Sequence, residues 1–224
     1  MKRLLLVAAV LASFDFQTVI AQGTTTEGPL PKVLIIGDSI SIGYTPYVTY
    51  MLKQEALVKH SQGNAQHTGT GLNNIDQWLG DTKWDVIHFN WGLWDICYRS
   101  PESRVRSQKD KIHGSITTPL KQYEINLNQL VRRLEKTGAK LIWASTTFVP
   151  EGEAGRFAGD DWKYNEVAAS IMKIHGIKID DLYELTKGLS PDLFKGPGDV
   201  HYTNIGYKVI AAQVADSIRG ALDE

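Results

Sequence analysis

The sequence lacks most of the features that would point to a specialised partner. Its 224 residues contain one cysteine, Cys97, so no internal disulfide can form. No Cys/His cluster has the spacing of metal ligands, and we expect no metal and no other cofactor. The chain has 24 basic and 25 acidic residues, a formal net charge of −1. This balance excludes the strongly basic surface that nucleic-acid binding requires, so we expect no nucleic-acid partner.

Long apolar runs are also absent. The run at residues 4–12 is nine residues long, too short to span a bilayer. It follows a basic pair and precedes the small residue Ala21, an order typical of a secretory signal peptide cut after Ala21. Asp15 interrupts this pattern, and a buried N-terminal helix is the alternative interpretation. We expect a secreted or periplasmic protein, without stable membrane insertion after signal cleavage.

Short apolar runs alternate with helical patterns along the rest of the chain. The predicted strands are 32–37, 56–60, 84–90, 139–144 and 177–179, and the predicted helices are 45–56, 118–137, 160–175 and 205–221. This order favours βαβ crossovers and a parallel sheet that helices cover on both faces. We therefore expect an α/β fold, a three-layer αβα sandwich with a five-stranded, mainly parallel sheet. Its domain would span residues 32–224, after a signal peptide at 1–21 and a linker at 22–31.

Two segments carry residue types that suit nucleophilic catalysis. Ser39 follows the first predicted strand within Gly-Asp-Ser-Ile, where a hydroxyl can lie beyond the carboxyl end of the sheet. Asp199 and His201 precede the last predicted helix, and together they can orient a base and accept the serine proton. Ordinary turn chemistry at Ser39 and helix capping near His201 are the alternatives.

The two segments together resemble the GDSL/SGNH hydrolase family. GDSI at 37–40 is similar to the block that carries the nucleophile, and DVHYTNIGY at 199–207 to the block that carries the acid and base. The segment 64–69, from an Asn to Gly69, matches the spacing of the second block. The resemblance runs from about residue 32 to the C-terminus. It implies a flavodoxin-like SGNH fold, Ser39 as nucleophile and His201 as base, with the Ser39 and Gly69 N–H groups in an oxyanion hole.

The sequence departs from the family pattern at two positions. Trp94 stands where the third block, Gly92-Leu93-Trp94-Asp95, normally places an oxyanion-hole Asn. Asn90 is a substitute donor, although a strand-end Asn bonded to nearby backbone is the simpler interpretation. The acid usually lies three residues before the His, but Asp199 lies two before it. Asp199 can reach the imidazole if the turn is tight; otherwise a backbone carbonyl orients His201, or the pair acts alone.

The predicted ligand is a small-molecule or polysaccharide ester. Asp38, Trp91 and Trp94 lie near the expected site and are candidate substrate-binding residues. A cationic loop at 99–117 is either a lid, a contact for an acidic polysaccharide, or a solvated surface. Export, aromatic residues and polar loops favour a carbohydrate O-acetylesterase. A lipid or thioester hydrolase of the same fold and a non-catalytic carbohydrate-binding relative are the alternatives.

Overall fold

The structure, a computed structural model, describes residues 28–224. The predicted signal peptide and residues 22–27 of the predicted linker lie outside these described residues. Five strands form one parallel sheet, and two short strands form a separate antiparallel ribbon. The strands are β1 (Lys32–Ile36), β2 (Leu57–His60), β3 (Val86–Phe89), β4 (Tyr98–Arg99), β5 (Ser115–Ile116), β6 (Lys140–Ala144) and β7 (Lys178–Asp180). The helices are α1 (Ser39–Met51), α2 (Thr68–Leu79), α3 (Leu120–Glu135), α4 (Asp160–His175), α5 (Leu182–Lys187) and α6 (Asn204–Leu222).

The order of the sheet is β2-β1-β3-β6-β7, and every neighbouring pair is parallel. Its central strands are buried on both faces, as in β3, because helices cover the two sides. Helices α1 and α6 pack together, while α3 packs against both α2 and α4. This arrangement confirms the predicted α/β three-layer sandwich with a five-stranded sheet.

The first helix begins earlier than the sequence pattern predicts. The expected helix at 45–56 starts instead at Ser39, because the Asp38 carboxylate accepts a hydrogen bond from the Ile40 N–H at 2.9 Å and caps it. The Thr45 hydroxyl lies within this helix and donates to the Ser41 carbonyl at 2.6 Å. Ser39 therefore occupies the first turn of a helix rather than a connecting loop.

Two helices were not predicted at all. α2 begins with Thr68-Gly-Thr-Gly, a composition that favours a loop. Buried Asp95 holds its first turn, because the carboxylate accepts hydrogen bonds from the Thr68 N–H and hydroxyl at 3.0 and 2.6 Å. α5 is only six residues long, and Asp181 caps it. Within residues 28–224, none of the helices is long and apolar enough to cross a membrane.

A loop at residues 100–114 joins the two ribbon strands, β4 and β5, and is called the lid below. Ser107 and Gln108 at its tip have φ angles of 62° and 55°, in the left-handed region that non-glycine residues seldom adopt. Arg99 supports this tip by donating from Nη1 to the Ser107 carbonyl. This hydrogen bond from Arg99 holds the tip of the lid near the carboxyl ends of the parallel strands.

Candidate active site

A serine, a histidine and an aspartate form a hydrogen-bonded chain beyond the carboxyl end of β1. Ser39 Oγ lies 2.9 Å from His201 Nε2, and His201 Nδ1 lies 2.6 Å from Asp199 Oδ1. Because the carboxylate can only accept, Nδ1 carries the proton and the Nε2 lone pair faces the Ser39 hydroxyl. This geometry suits removal of the serine proton by the imidazole.

Ser39 owes its position to the junction between β1 and α1. Within the described part of the chain, its N–H makes no hydrogen bond, as expected for the first turn of a helix. This N–H therefore remains free to donate to an anion that forms beside the Ser39 side chain, where the helix dipole also favours negative charge.

A tight turn before α6 brings the acid to the base. Gly198 adopts a φ of 69°, and a Cβ there would lie 2.7 Å from backbone atoms of Gly152, so this position requires glycine. Asp199 Oδ1 also accepts the His201 N–H at 2.9 Å. Burial alone would raise the pKa of Asp199, but the hydrogen bonds and charge of His201, with the charge of Lys109, outweigh it and lower that pKa. The carboxyl group is therefore held in its charged form.

The Ser39 hydroxyl opens into a cavity of about 390 Å³. Its walls come from the loops after β1, β3 and β6, from the lid and from the turn before α6. The charged residues that line it are Asp38, Arg99, Arg106, Lys109, Glu153, Arg156 and Asp199; Asn64, Leu93, Trp94, Val105 and Val200 are among its other residues. The cavity thus has both charged and apolar lining residues, and it has cations on the side of the lid.

Two of the residues expected in the oxyanion hole are engaged elsewhere. The Gly69 N–H donates to His67 Nδ1 at 3.1 Å within the first turn of α2. The Asn90 amide donates to the Ala144 carbonyl at 2.7 Å, as a strand-end Asn bonded to backbone would. Neither residue lines the cavity at Ser39. The Gly69 N–H and the Asn90 amide thus each have a hydrogen-bond partner other than the nucleophile.

The three expected substrate-binding residues have different environments. Trp91 is 1% exposed, and its Nε1 donates to the Ala65 carbonyl at 3.3 Å, so it belongs to the core and does not face a ligand. Trp94 lines the cavity, and the Arg99 guanidinium stacks on it at 4.2 Å. Asp38 also lines the cavity, but its carboxylate caps α1, and burial raises its pKa.

Two features of the cavity wall were not predicted from the sequence. Asn64 was noted only as the start of a motif, yet its side chain lines the cavity with Ser39. Glu153, 1% exposed, pairs with Arg156 at 3.0 Å and with Lys109. The charges of Arg156 and Lys109 overcome the effect of burial and lower the pKa of Glu153. The pair of Lys109 with Glu153 joins two loops that are distant in sequence, so no local pattern predicts it.

Cys97 is a buried residue, as expected for a structural thiol. Among residues 28–224, no group of three or more His, Cys, Asp or Glu side chains has the geometry of a metal site. The cavity brings together the serine, the histidine and the carboxylate, with cations nearby.

Solved structures of ester hydrolases share this fold. An acetyl xylan esterase superimposes with a TM-score of 0.66 at 15% identity, covering 84% of this chain and 99% of that one. The lipase/acylhydrolase from Enterococcus faecalis gives 0.69 at 18%, covering 85% and 96%. A catalytic mutant of an acetylxylan esterase from Geobacillus stearothermophilus gives 0.65 at 17%, covering 84% and 94%. At these identities the likeness shows the fold alone.

The family of the chain is identified from its sequence. No curated protein matches the chain by sequence. A profile of the GDSL-like lipase/acylhydrolase family, however, matches residues 35–209, which include the serine and histidine segments. This match confirms the resemblance found in the sequence motifs. The chain therefore belongs to the GDSL-like lipase/acylhydrolase family and is an ester-hydrolysing serine hydrolase.

Proposed function

We propose that the protein is a carbohydrate O-acetylesterase with Ser39 as nucleophile, His201 as general base and Asp199 as the acid that orients it. The observation that carries this proposal is the Ser39–His201–Asp199 chain opening into a cavity with many charged lining residues. Hydroxyl-rich sugars suit a wall with many charged hydrogen-bonding side chains, and Trp94 and Leu93 supply apolar surface beside them. A hydrolase for long acyl chains would need a more extended apolar wall.

The proposed reaction is acyl transfer to Ser39 and then to water. Ser39 Oγ attacks the ester carbonyl while its proton passes to His201 Nε2, and the Ser39 N–H stabilises the resulting oxyanion. His201 then gives this proton to the departing sugar oxygen as the ester bond breaks. In the second half His201 takes a proton from water, the hydroxide attacks the acyl-enzyme, and the proton returns to Ser39 as acetate leaves.

The solved acetyl xylan esterases with this fold support the choice of an acetylated glycan. The pattern at residues 1–21 supports export to the secreted or periplasmic space, where polysaccharides lie outside the cell. Both are proposals for this chain, because a shared fold does not transfer a substrate.

The test is a comparison of acyl chain lengths and of acetylated glycans. We expect kcat/KM for 4-nitrophenyl acetate to exceed that for the decanoate by about tenfold or more, because each misplaced methylene costs binding energy. We also expect acetate release from acetylated oligosaccharides. The matched control is the same chain with Ser39→Ala, which measures background hydrolysis. A long-chain optimum without acetate release from any glycan would contradict the proposal and favour a lipid hydrolase.

A further inference from the structure

The cations that line the cavity fall into two groups. Arg156 and Lys109 are matched by buried Glu153, and Arg156 also donates from Nε to the Leu93 carbonyl at 2.6 Å. These contacts hold the wall of the cavity in place, and Glu153 supplies a counter-charge that Arg156 and Lys109 share. They therefore have a structural explanation that needs no ligand.

The other group, Arg99 and Arg106, has no carboxylate partner within residues 28–224. Arg99 donates from Nε to Thr117 Oγ1 at 3.2 Å and from Nη1 to the Ser107 carbonyl, while its face lies on Trp94. Burial is the main cause of a lowered pKa of Arg99, and the charge of Arg156 lowers it further, against the opposing effects of Cys97 and Glu153. Arg106 is exposed on the lid and lines the same cavity. Two unmatched guanidinium groups thus share a cavity with the nucleophile.

We propose that Arg99 and Arg106 bind a carboxylate on the substrate, so that the preferred ester is an O-acetylated uronate glycan. This inference rests on the proposed O-acetylesterase function, because an acetyl group carries no charge and the carboxylate must then belong to the sugar. The planar guanidinium donors match a carboxylate in geometry as well as in charge. Trp94 holds the Arg99 guanidinium in place by stacking on it, so the charge stays at the cavity wall.

The test uses a pair of small esters that differ in one charge, 4-acetoxybenzoate and 4-acetoxybenzamide. We expect Arg106→Gln to lower kcat/KM for the benzoate by about fivefold and to change that for the neutral amide by less than about twofold. Arg106→Glu should widen the difference, and added salt should narrow it. Arg106 is preferable to Arg99 because Arg99 also supports the lid. Arg104→Gln is the matched control, since Arg104 is exposed on the same lid but does not line the cavity.

The outcomes separate this inference from the proposed function. Equal losses on both esters, or no loss on either, would overturn the carboxylate site. Acetate release from neutral acetylated glycans, with no effect of Arg106→Gln on the ester pair, would overturn it while the O-acetylesterase function stands. A loss confined to the benzoate supports the carboxylate site whichever glycan is hydrolysed.

A second, independent observation concerns the oxyanion hole. Trp94 replaces the Asn of the family pattern, and the Gly69 and Asn90 donors are engaged elsewhere. Asn64 is one of the residues that line the cavity, and its Oδ1 accepts the Gln66 N–H at 2.8 Å. This bond identifies which amide atom is the oxygen. Nδ2 then lies on the side of the amide that faces away from the Gln66 N–H. Within residues 28–224 it has no hydrogen-bond acceptor.

The backbone holds Asn64 near the nucleophile. The Ala65 N–H donates to the Gly37 carbonyl at 3.0 Å, two residues before Ser39. Gln66 has a φ of 50°, which the bond to Asn64 Oδ1 stabilises. We infer that Asn64 Nδ2 is the second donor of the oxyanion hole, in place of the amide that Trp94 removes. Donors fixed before the reaction stabilise an oxyanion without reorganisation.

The test is Asn64→Asp, which keeps an acceptor for the Gln66 N–H and removes the donor. We expect kcat for 4-nitrophenyl acetate to fall about 10²-fold with KM within about threefold, because the interaction forms only in the transition state. Inhibition by phenylboronic acid, whose adduct with Ser39 mimics the tetrahedral intermediate, should weaken by a similar factor. Asn90→Ser tests the rival donor. Loss of kcat and of boronate affinity there, with Asn64→Asp unimpaired, would overturn the inference.

Discussion

Replacement of Ser39 by alanine should abolish ester hydrolysis, with a loss in kcat of about 10⁴-fold or more. The reason is that Ser39 Oγ is the hydroxyl 2.9 Å from His201 Nε2 at the cavity, so its removal leaves no group to form an acyl-enzyme. Release of acetate or 4-nitrophenol by the purified protein measures the effect. The same substitution also tests the alternative of a non-catalytic carbohydrate-binding relative. Such a protein would show no turnover for Ser39→Ala to remove.

The chain supplies a matched control two residues along the same helix. Ser41 Oγ lies 2.7 Å from His60 Nε2, so it also forms a serine–histidine pair, but it is buried and does not line the cavity. Ser41→Ala should retain activity within about threefold, with folding checked by thermal unfolding. Full activity in Ser39→Ala, or its loss only in Ser41→Ala, would show that the wrong serine has been assigned.

The sequence predicts the layers of this fold better than the start of its first helix. Continuous apolar strands such as 33–36 identify a buried parallel sheet, because few other structures hide both faces of a strand. The cap at Asp38 was missed because Thr45-Pro46 offers a more familiar helix start. The difference matters for function, since it places Ser39 in the first turn of α1, where its N–H is free.

Local motifs also explain why the site was only partly predictable. Ser39, Asp199 and His201 belong to short patterns, and the structure brings their side chains together. The environment of Asn64 depends on a turn closed by Gln66 and on a bond to Gly37, neither of which sequence spacing reveals. Trp91 and Trp94 both follow β3 and look equivalent in the sequence. Trp91 nevertheless lies in the core, whereas Trp94, three residues later, lines the cavity.

The charge of Asp199 should matter more than its hydrogen bond. Asp199→Asn keeps an oxygen that can accept the His201 N–H groups, so the turn is preserved while the charge that stabilises the protonated imidazole is lost. We expect kcat for 4-nitrophenyl acetate to fall by about 10²- to 10⁴-fold. Because the pKa of Asp199 is lowered, the wild-type carboxylate is charged at and above neutrality, so its own titration does not limit the wild-type activity there.

The control for this charge is another aspartate that contacts a histidine. Asp110 lies 3.5 Å from His113 on the lid, outside the cavity, so Asp110→Asn should leave kcat within about twofold. Asp199→Ala should cost at least as much as Asp199→Asn, because it removes the orienting oxygen as well as the charge. An Asn variant with wild-type kcat would instead mean that Ser39 and His201 act as a pair. The tight turn at Gly198 would then serve only to position the imidazole through the backbone.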